Sequence, residues 1–163
     1  MVRRTGFELV DYLKGKGWIF ETRSQSAAED AALPGPMPGS YVEFLSSFST
    51  LSNGSDDVWF LSLEDYLGRS QSAFSWNEFK TMSLDVADSE EAAARIEEFW
   101  NRYIPIAMMT GGHYAYLGID TVSGAVVHGE EPEFEQVSTV SDCIDDFFGK
   151  VLSGESIHGF FED

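Results

Sequence analysis

The sequence predicts an α+β fold: a central, mainly antiparallel sheet with a hairpin over residues 114–128 at its core, flanked by N-terminal, middle (89–103) and C-terminal (140–152) helices. Three observations predict it. Apolar residues recur at helical spacing near both ends and in the middle of the chain, and after Pro105 the spacing changes to that of strands. The 163 residues, 43% of them hydrophobic and 14% aromatic, supply one sizeable core. No internal repeat and no second composition regime marks another domain. One domain over 1–163 is expected, with 22–38 a Pro-, Ala- and Ser-rich connection and 155–163 a tail.

Thr5-Gly6-Phe7-Glu8 has the spacing of a capping box, with Leu9, Val10 and Leu13 following on one face of a first helix that ends near Gly15 or Gly17. Leu33-Pro34-Gly35-Pro36-Met37-Pro38 forbids both helix and central strand, and a helical turn is expected before it, at Ala27 to Ala32. Ser40 and Glu43 repeat the capping spacing. Tyr41, Phe44, Leu45 and Phe48 then trace a second helix, closed by Asn53-Gly54. Val58 to Leu61 suits a short buried strand, and Ser62 opens a helical turn. The stretch from Arg69 to Val86 has no clean period.

Asp88-Ser89-Glu90-Glu91 caps the clearest helix, whose Ala92, Ile96, Phe99, Trp100 and Tyr103 lie on one face. Ile106 to Met109, Tyr114 to Asp120 and Ala125 to His128 read as strands, with Gly111-Gly112 as a tight turn and Thr121 to Gly124 as the hairpin loop. A fourth strand is expected through Phe134 to Val137. The last helix is expected to start between Ser138 and Ser141 and to bury Ile144, Phe147, Phe148 and Val151.

Ten Lys and Arg against 28 Asp and Glu give a net charge of −18. A chain this apolar folds, so the charge sits on a folded surface. Such a field repels a phosphate backbone and draws in a basic protein, which disfavours direct nucleic-acid binding and favours a protein partner. Cys143 is the sole cysteine, which excludes an intrachain disulfide and any CxxC site and fits a reducing compartment. Glu8, Asp11 and Lys14 interrupt the only candidate signal-peptide core, and no apolar run is long enough for a membrane span. The expected address is the cytoplasm, and the expected state a monomer or weak dimer.

Patterns of catalysis are missing. Gly111-Gly112 leads into a strand rather than a helix, so it does not cradle phosphate. His113, His128 and His158 stand in no ligand spacing, and the hairpin register places Leu117 or Gly118 opposite His128 with His113 beyond the pairing, so no two are expected to converge. Cys143 is expected to be buried as a small hydrophobe. Adjacent carboxylates such as Asp56-Asp57, Glu97-Glu98 and Asp145-Asp146 follow from composition. No catalytic residue, metal or cofactor is expected. What remains is a candidate partner-binding loop in which Glu130, Glu131, Glu133 and Glu135 surround Phe134. The carboxylates steer a basic partner and Phe134 fills its pocket, unless Phe134 packs into the core and the glutamates only solvate the loop.

Leu33-Pro34 leading into Tyr41-Val42-Glu43-Phe44-Leu45, then Asn53-Gly54 and Trp59-Phe60-Leu61-Ser62-Leu63-Glu64, form an ordered series with the later segments. Those are Tyr103-Ile104-Pro105-Ile106-Ala107, Gly111-Gly112-His113-Tyr114-Ala115-Tyr116-Leu117-Gly118-Ile119-Asp120, Gly124, Val126-Val127 and the terminal helix with Phe147. This series, over roughly residues 33–152, resembles the SUKH superfamily, which includes the Smi/Knr cell-wall assembly regulators. The sequence departs from the pattern in its longer Pro-rich approach and in His113, where an acidic residue commonly follows the glycines. The resemblance implies a non-enzymatic α+β domain that acts as an immunity protein, binding and blocking a toxin domain of nuclease or deaminase type. It carries over no functional residue. Two other readings stand beside it: an intracellular regulatory scaffold, and a small-ligand binder or enzyme using a pocket between the sheet and the helix that bears Trp100.

Overall fold

The computed structural model describes residues 5–23, 33–69 and 74–161. Among them, seven strands form one sheet: β1 (Ile19–Glu21), β2 (Thr50–Ser52), β3 (Val58–Phe60), β4 (Tyr103–Met109), β5 (Ala115–Asp120), β6 (Val126–Glu130) and β7 (Ser138–Ser141). They lie side by side in chain order, and every neighbouring pair is antiparallel. Six helices flank the sheet: α1 (Thr5–Gly15), α2 (Gly39–Leu45), α3 (Leu63–Leu67), α4 (Glu78–Asp85), α5 (Glu90–Arg102) and α6 (Ile144–Leu152). The chain is thus an α+β protein with a central antiparallel sheet.

Register decides what each face carries, because directly paired residues share a face and successive residues alternate. Trp59, Met108, Tyr116 and Gly129 form one row across β3 to β6. Tyr116 in that row meets Phe79 of α4 and Trp100 of α5, so these helices cover this face. Phe60, Ala107, Leu117, His128 and Ser138 form the adjacent row, on the opposite face. There Phe60 packs on Phe44 of α2 and on Trp18, and Phe44 reaches Phe148 of α6.

The C-terminal segment closes the second face. Ile157, Phe160 and Phe161 are buried, Phe161 stacks on Phe60 with ring centroids 5.7 Å apart, and its carbonyl accepts from Lys16 Nζ at 2.6 Å. Through residue 161 the tail is therefore a piece of the core.

Several local features form as the residue types dictate. Ser89 caps α5 by accepting from Ala92 N–H, and Ser62 and Asp65 form a reciprocal capping box on α3. Leu117 pairs with His128, and Gly112 and Gly124 take the positive φ that their turns require.

Four expectations are corrected. The Ser40 cap does not form: α2 starts at Gly39, preceded by Pro38, whose carbonyl accepts from Tyr41 and Val42 N–H. That helix ends at Leu45, so Phe48 is buried from the connection behind it, and Asn53-Gly54 turns between β2 and β3. The expected strand over Phe134 to Val137 is loop. The C-terminal helix begins at Ile144, not within Ser138–Ser141, because those four residues pair with β6 as β7. Two unforeseen strands, β1 and β2, are three residues each. The turn expected at Ala27 to Ala32 and the Thr5 cap lie outside the described residues and side chains.

Gly129 is the tightest point of the sheet. A Cβ there would come within 2.5 Å of the Tyr116 ring, which lies across the strand so that its hydroxyl can donate to the Phe134 carbonyl at 2.6 Å. Phe79, Trp100 and Phe134 hold the ring from its other sides. Gly129→Ala is therefore expected to cost about 1–3 kcal/mol in urea denaturation. Gly149→Ala, at an open position on α6, should cost nothing and gain about 0.5–1 kcal/mol.

Candidate binding surface

The loop that follows β6 divides its acidic residues between two tasks. Phe134 is 5% exposed and stacks on Phe79 at 4.4 Å between centroids, so its ring fills the layer between sheet and α4 and is not offered to a partner. The physical reason is the Tyr116 hydroxyl, which holds the Phe134 carbonyl and turns the loop inward. Glu135 follows it in. Its Oε2 accepts from Trp100 Nε1 at 2.8 Å and from Ser83 Oγ at 2.7 Å, satisfying two groups that the fold removes from water. Glu131 is half-buried and its Oε2 accepts from Tyr114 N–H at 2.7 Å. Glu130 and Glu133 are the exposed pair, and Glu133 accepts from Gln136. Of the five predicted contact residues, two carboxylates remain fully on the surface.

The histidines do come together, against the sequence-based expectation. His158 lies in the docked tail, and its ring stacks on His128 with centroids 3.7 Å apart and planes 1° from parallel. Glu130 Oε1 lies 3.0 Å from His113 Nε2 and 3.7 Å from His128 Nε2. The pairing register of the hairpin says nothing about a segment that returns thirty residues later, which is why His158 escaped a strand-by-strand reading. His158 also holds a positive φ of 50°, rare outside glycine. His113 holds the Glu130 carboxyl below its ordinary value by hydrogen bonding.

Burial pushes His128 down to about 4, and His158 adds in the same direction. The groups facing His128 are Glu130 on its own strand, His113 from the β4–β5 turn, and His158 and Phe160 from the tail. Among the described residues, no group of three or more His, Cys, Asp and Glu side chains is arranged to hold a metal ion.

Cys143 is also corrected. It sits exposed at the N-cap position of α6, because the strand before it ends with Ser141 and the helix begins one residue after it.

Two open grooves flank the sheet. One, of about 440 Å³, runs over β2 and β3 and is lined by Thr50, Ser52, Asp56, Trp59, Asp65 and Phe74. The other, of about 380 Å³, lies along α5 between Ala92, Arg95, Ile96, Phe99 and Glu135. Neither is lined by a histidine, so the imidazole cluster and the grooves are separate places. No helix among the described residues is long and apolar enough to cross a membrane.

Comparison with family models, with curated proteins and with solved structures gives no match.

The His128 environment has a measurable consequence. Unfolding returns its imidazole to an ordinary value of 6.5, so between that value and about 4 the unfolded chain takes up a proton that the folded chain refuses. This contribution to stability is whole above the upper value and is lost as pH falls through the window. His128 alone is expected to lower the unfolding free energy by on the order of 2 kcal/mol from pH 7 to pH 5. His128→Phe, which keeps a ring against His158, should flatten the dependence by that amount in urea titrations. Equal slopes in the two proteins would take His128 out of the acid response.

Proposed function

We propose that this chain is a non-enzymatic binding protein that neutralises a basic toxin domain, of nuclease or deaminase type, in the manner of the SUKH immunity proteins its motifs resemble. The observation that carries the reading is the charge. The chain sets ten basic against 28 acidic residues, and among the described residues Glu90, Glu91, Glu97 and Glu98 are exposed on α5 and Glu130, Glu133, Asp142 and Asp146 around β7. Opposed fields accelerate encounter with a cationic partner, and occlusion of a nucleic-acid-binding surface by carboxylates replaces the phosphates it would otherwise hold.

The reading is tested by tagged capture from the native cell at low ionic strength, followed by elution on a salt ramp. One stoichiometric basic partner bearing a nuclease or deaminase domain, released by salt, is the expected result. Several endogenous partners without such a domain would point to a regulatory scaffold instead. With the partner in hand, Glu130→Lys combined with Glu133→Lys is expected to slow association by about tenfold and to flatten its salt dependence. An unchanged association rate would remove the loop from the interface. Glu135→Lys is expected to destabilise the fold rather than to act on association, because it strands Trp100 Nε1 and Ser83 Oγ without their acceptor.

A further inference from the structure

The sheet ends on β7, which is last in the strand order and pairs only with β6. None of the loop, turn or cap backbone hydrogen bonds among the described residues uses Ser138 through Ser141, so the outer side of this strand carries backbone donors and acceptors that no described residue engages. Ser138 and Thr139 are exposed and Val140 is half-buried. Edge strands are ordinarily protected by lysine, proline, an inward charge, short length or a bulge. Ser-Thr-Val-Ser holds no lysine, proline or charge; the strand is four residues long and its pairing with β6 skips Val140 as a bulge, so Ser138 and Thr139 are the stretch left in regular register.

The opposite edge is different. β1 is three residues long, its Glu21 accepts from Thr50 Oγ1, and Lys14 Nζ stands 5.0 Å over the Phe20 ring.

Charge sets the chemistry of what fits on β7. The segment 130–146, which contains the strand, holds Glu130, Glu131, Glu133, Glu135, Asp142, Asp145 and Asp146 and no Lys or Arg. Exposed carboxylates stand at both ends of the strand: Glu130 and Glu133 before it, Asp142 and Asp146 after it. Beside Thr139 and Val140, a small hollow is lined by Lys150 and Glu155 together with His158 of the tail, so a basic and an acidic side chain both stand there. A second copy of this chain would set the same acidic segment against itself. An extended strand with lysine or arginine would meet backbone groups along its length and opposite charge at both ends.

We infer that β7 is a docking edge, and that it takes an extended, lysine- or arginine-bearing segment of a partner protein as an eighth strand of the sheet. The inference rests on the proposed function for the identity of that partner but not for the edge itself. Main-chain hydrogen bonds supply the contact, and the flanking carboxylates select the basic strand over a neutral or acidic one.

The test is amide hydrogen exchange on the full chain with a synthetic peptide of alternating lysine and valine, and with a glutamate and valine peptide as the control. Protection of Ser138–Ser141 by about tenfold with the basic peptide alone, fading with added salt, is expected. Equal protection by both peptides, protection elsewhere only, or concentration-dependent protection without peptide, as in self-pairing, would overturn the inference. Ser138→Pro and Thr139→Pro separate it from the broader reading, because these two residues pair in regular register with His128 and Val127, and of two adjacent such residues one directs its N–H outward. The variant that retains the wild-type melting temperature is expected to bind the captured basic partner at least about tenfold more weakly. If the partner binds both variants with unchanged Kd, the edge is not its site while the binding function stands. If no basic partner is captured yet the lysine peptide still protects β7, the toxin reading fails and the edge stands.

Discussion

The contact between Tyr116 and Gly129 organises the acidic half of this molecule. A tyrosine ring laid across a neighbouring strand needs a residue without Cβ beneath it, and Gly129 is that residue. Once in place, the ring delivers its hydroxyl to the Phe134 carbonyl and fixes the loop between β6 and β7. Phe134 then enters the layer under α4, Glu135 follows to bond Trp100 and Ser83, and the chain emerges again only at Gln136. The position of β7 is a result of this descent. It returns against β6 as the last strand, and the residues after it enter α6 on the opposite face.

The other face depends on a different closure. α1, α2 and α6 surround Phe44, Phe60 and Phe148, and the remaining gap is filled by Phe160 and Phe161 from the tail. His128 lies at the margin of this face, where a strand residue that would otherwise be a buried aliphatic carries an imidazole. His158 and Phe160 of the tail lie against its ring, burial disfavours its charged form, and His158 adds in the same direction. The tail therefore bears on the protonation of a residue thirty positions earlier.

Much of this was legible in the sequence, and the boundary of legibility has a physical basis. α5 is marked by a serine cap and a strong amphipathic period, and the β5–β6 hairpin by alternating apolar residues around a glycine turn, so both lie within a residue or two of where local chemistry places them. β1 and β2 are too short for any period to be counted, and β7 is a polar edge strand whose Ser-Thr-Val-Ser reads equally as the approach to a capped helix. Phe134 stood among four glutamates, and local composition gave two outcomes for it; the choice was made by Tyr116, eighteen residues away. A glycine facing an aromatic across a hairpin was the available signal. Of the two expected registers, the one that sets Leu117 against His128 also sets Tyr116 against Gly129, and the structure adopts it. The histidine stack left no such trace, since only the docking of the tail brings His158 to β6.

The distribution of carboxylates matters more than their sum. A net charge of −18 opposes self-association, and this repulsion adds to the short length and the Val140 bulge that protect the edge strand from like molecules. A lysine on β7 would blunt the edge against every partner, acidic or basic. In the proposed docking, carboxylates at its two ends would discriminate, opposing self-pairing and favouring a basic strand with the same electrostatic field. Protection from aggregation and selection of a cationic partner would then be one property of the surface, and the inward turn of Glu135 shows that the fold uses its acidic residues unevenly, holding some in hydrogen bonds and leaving those around β7 in solvent.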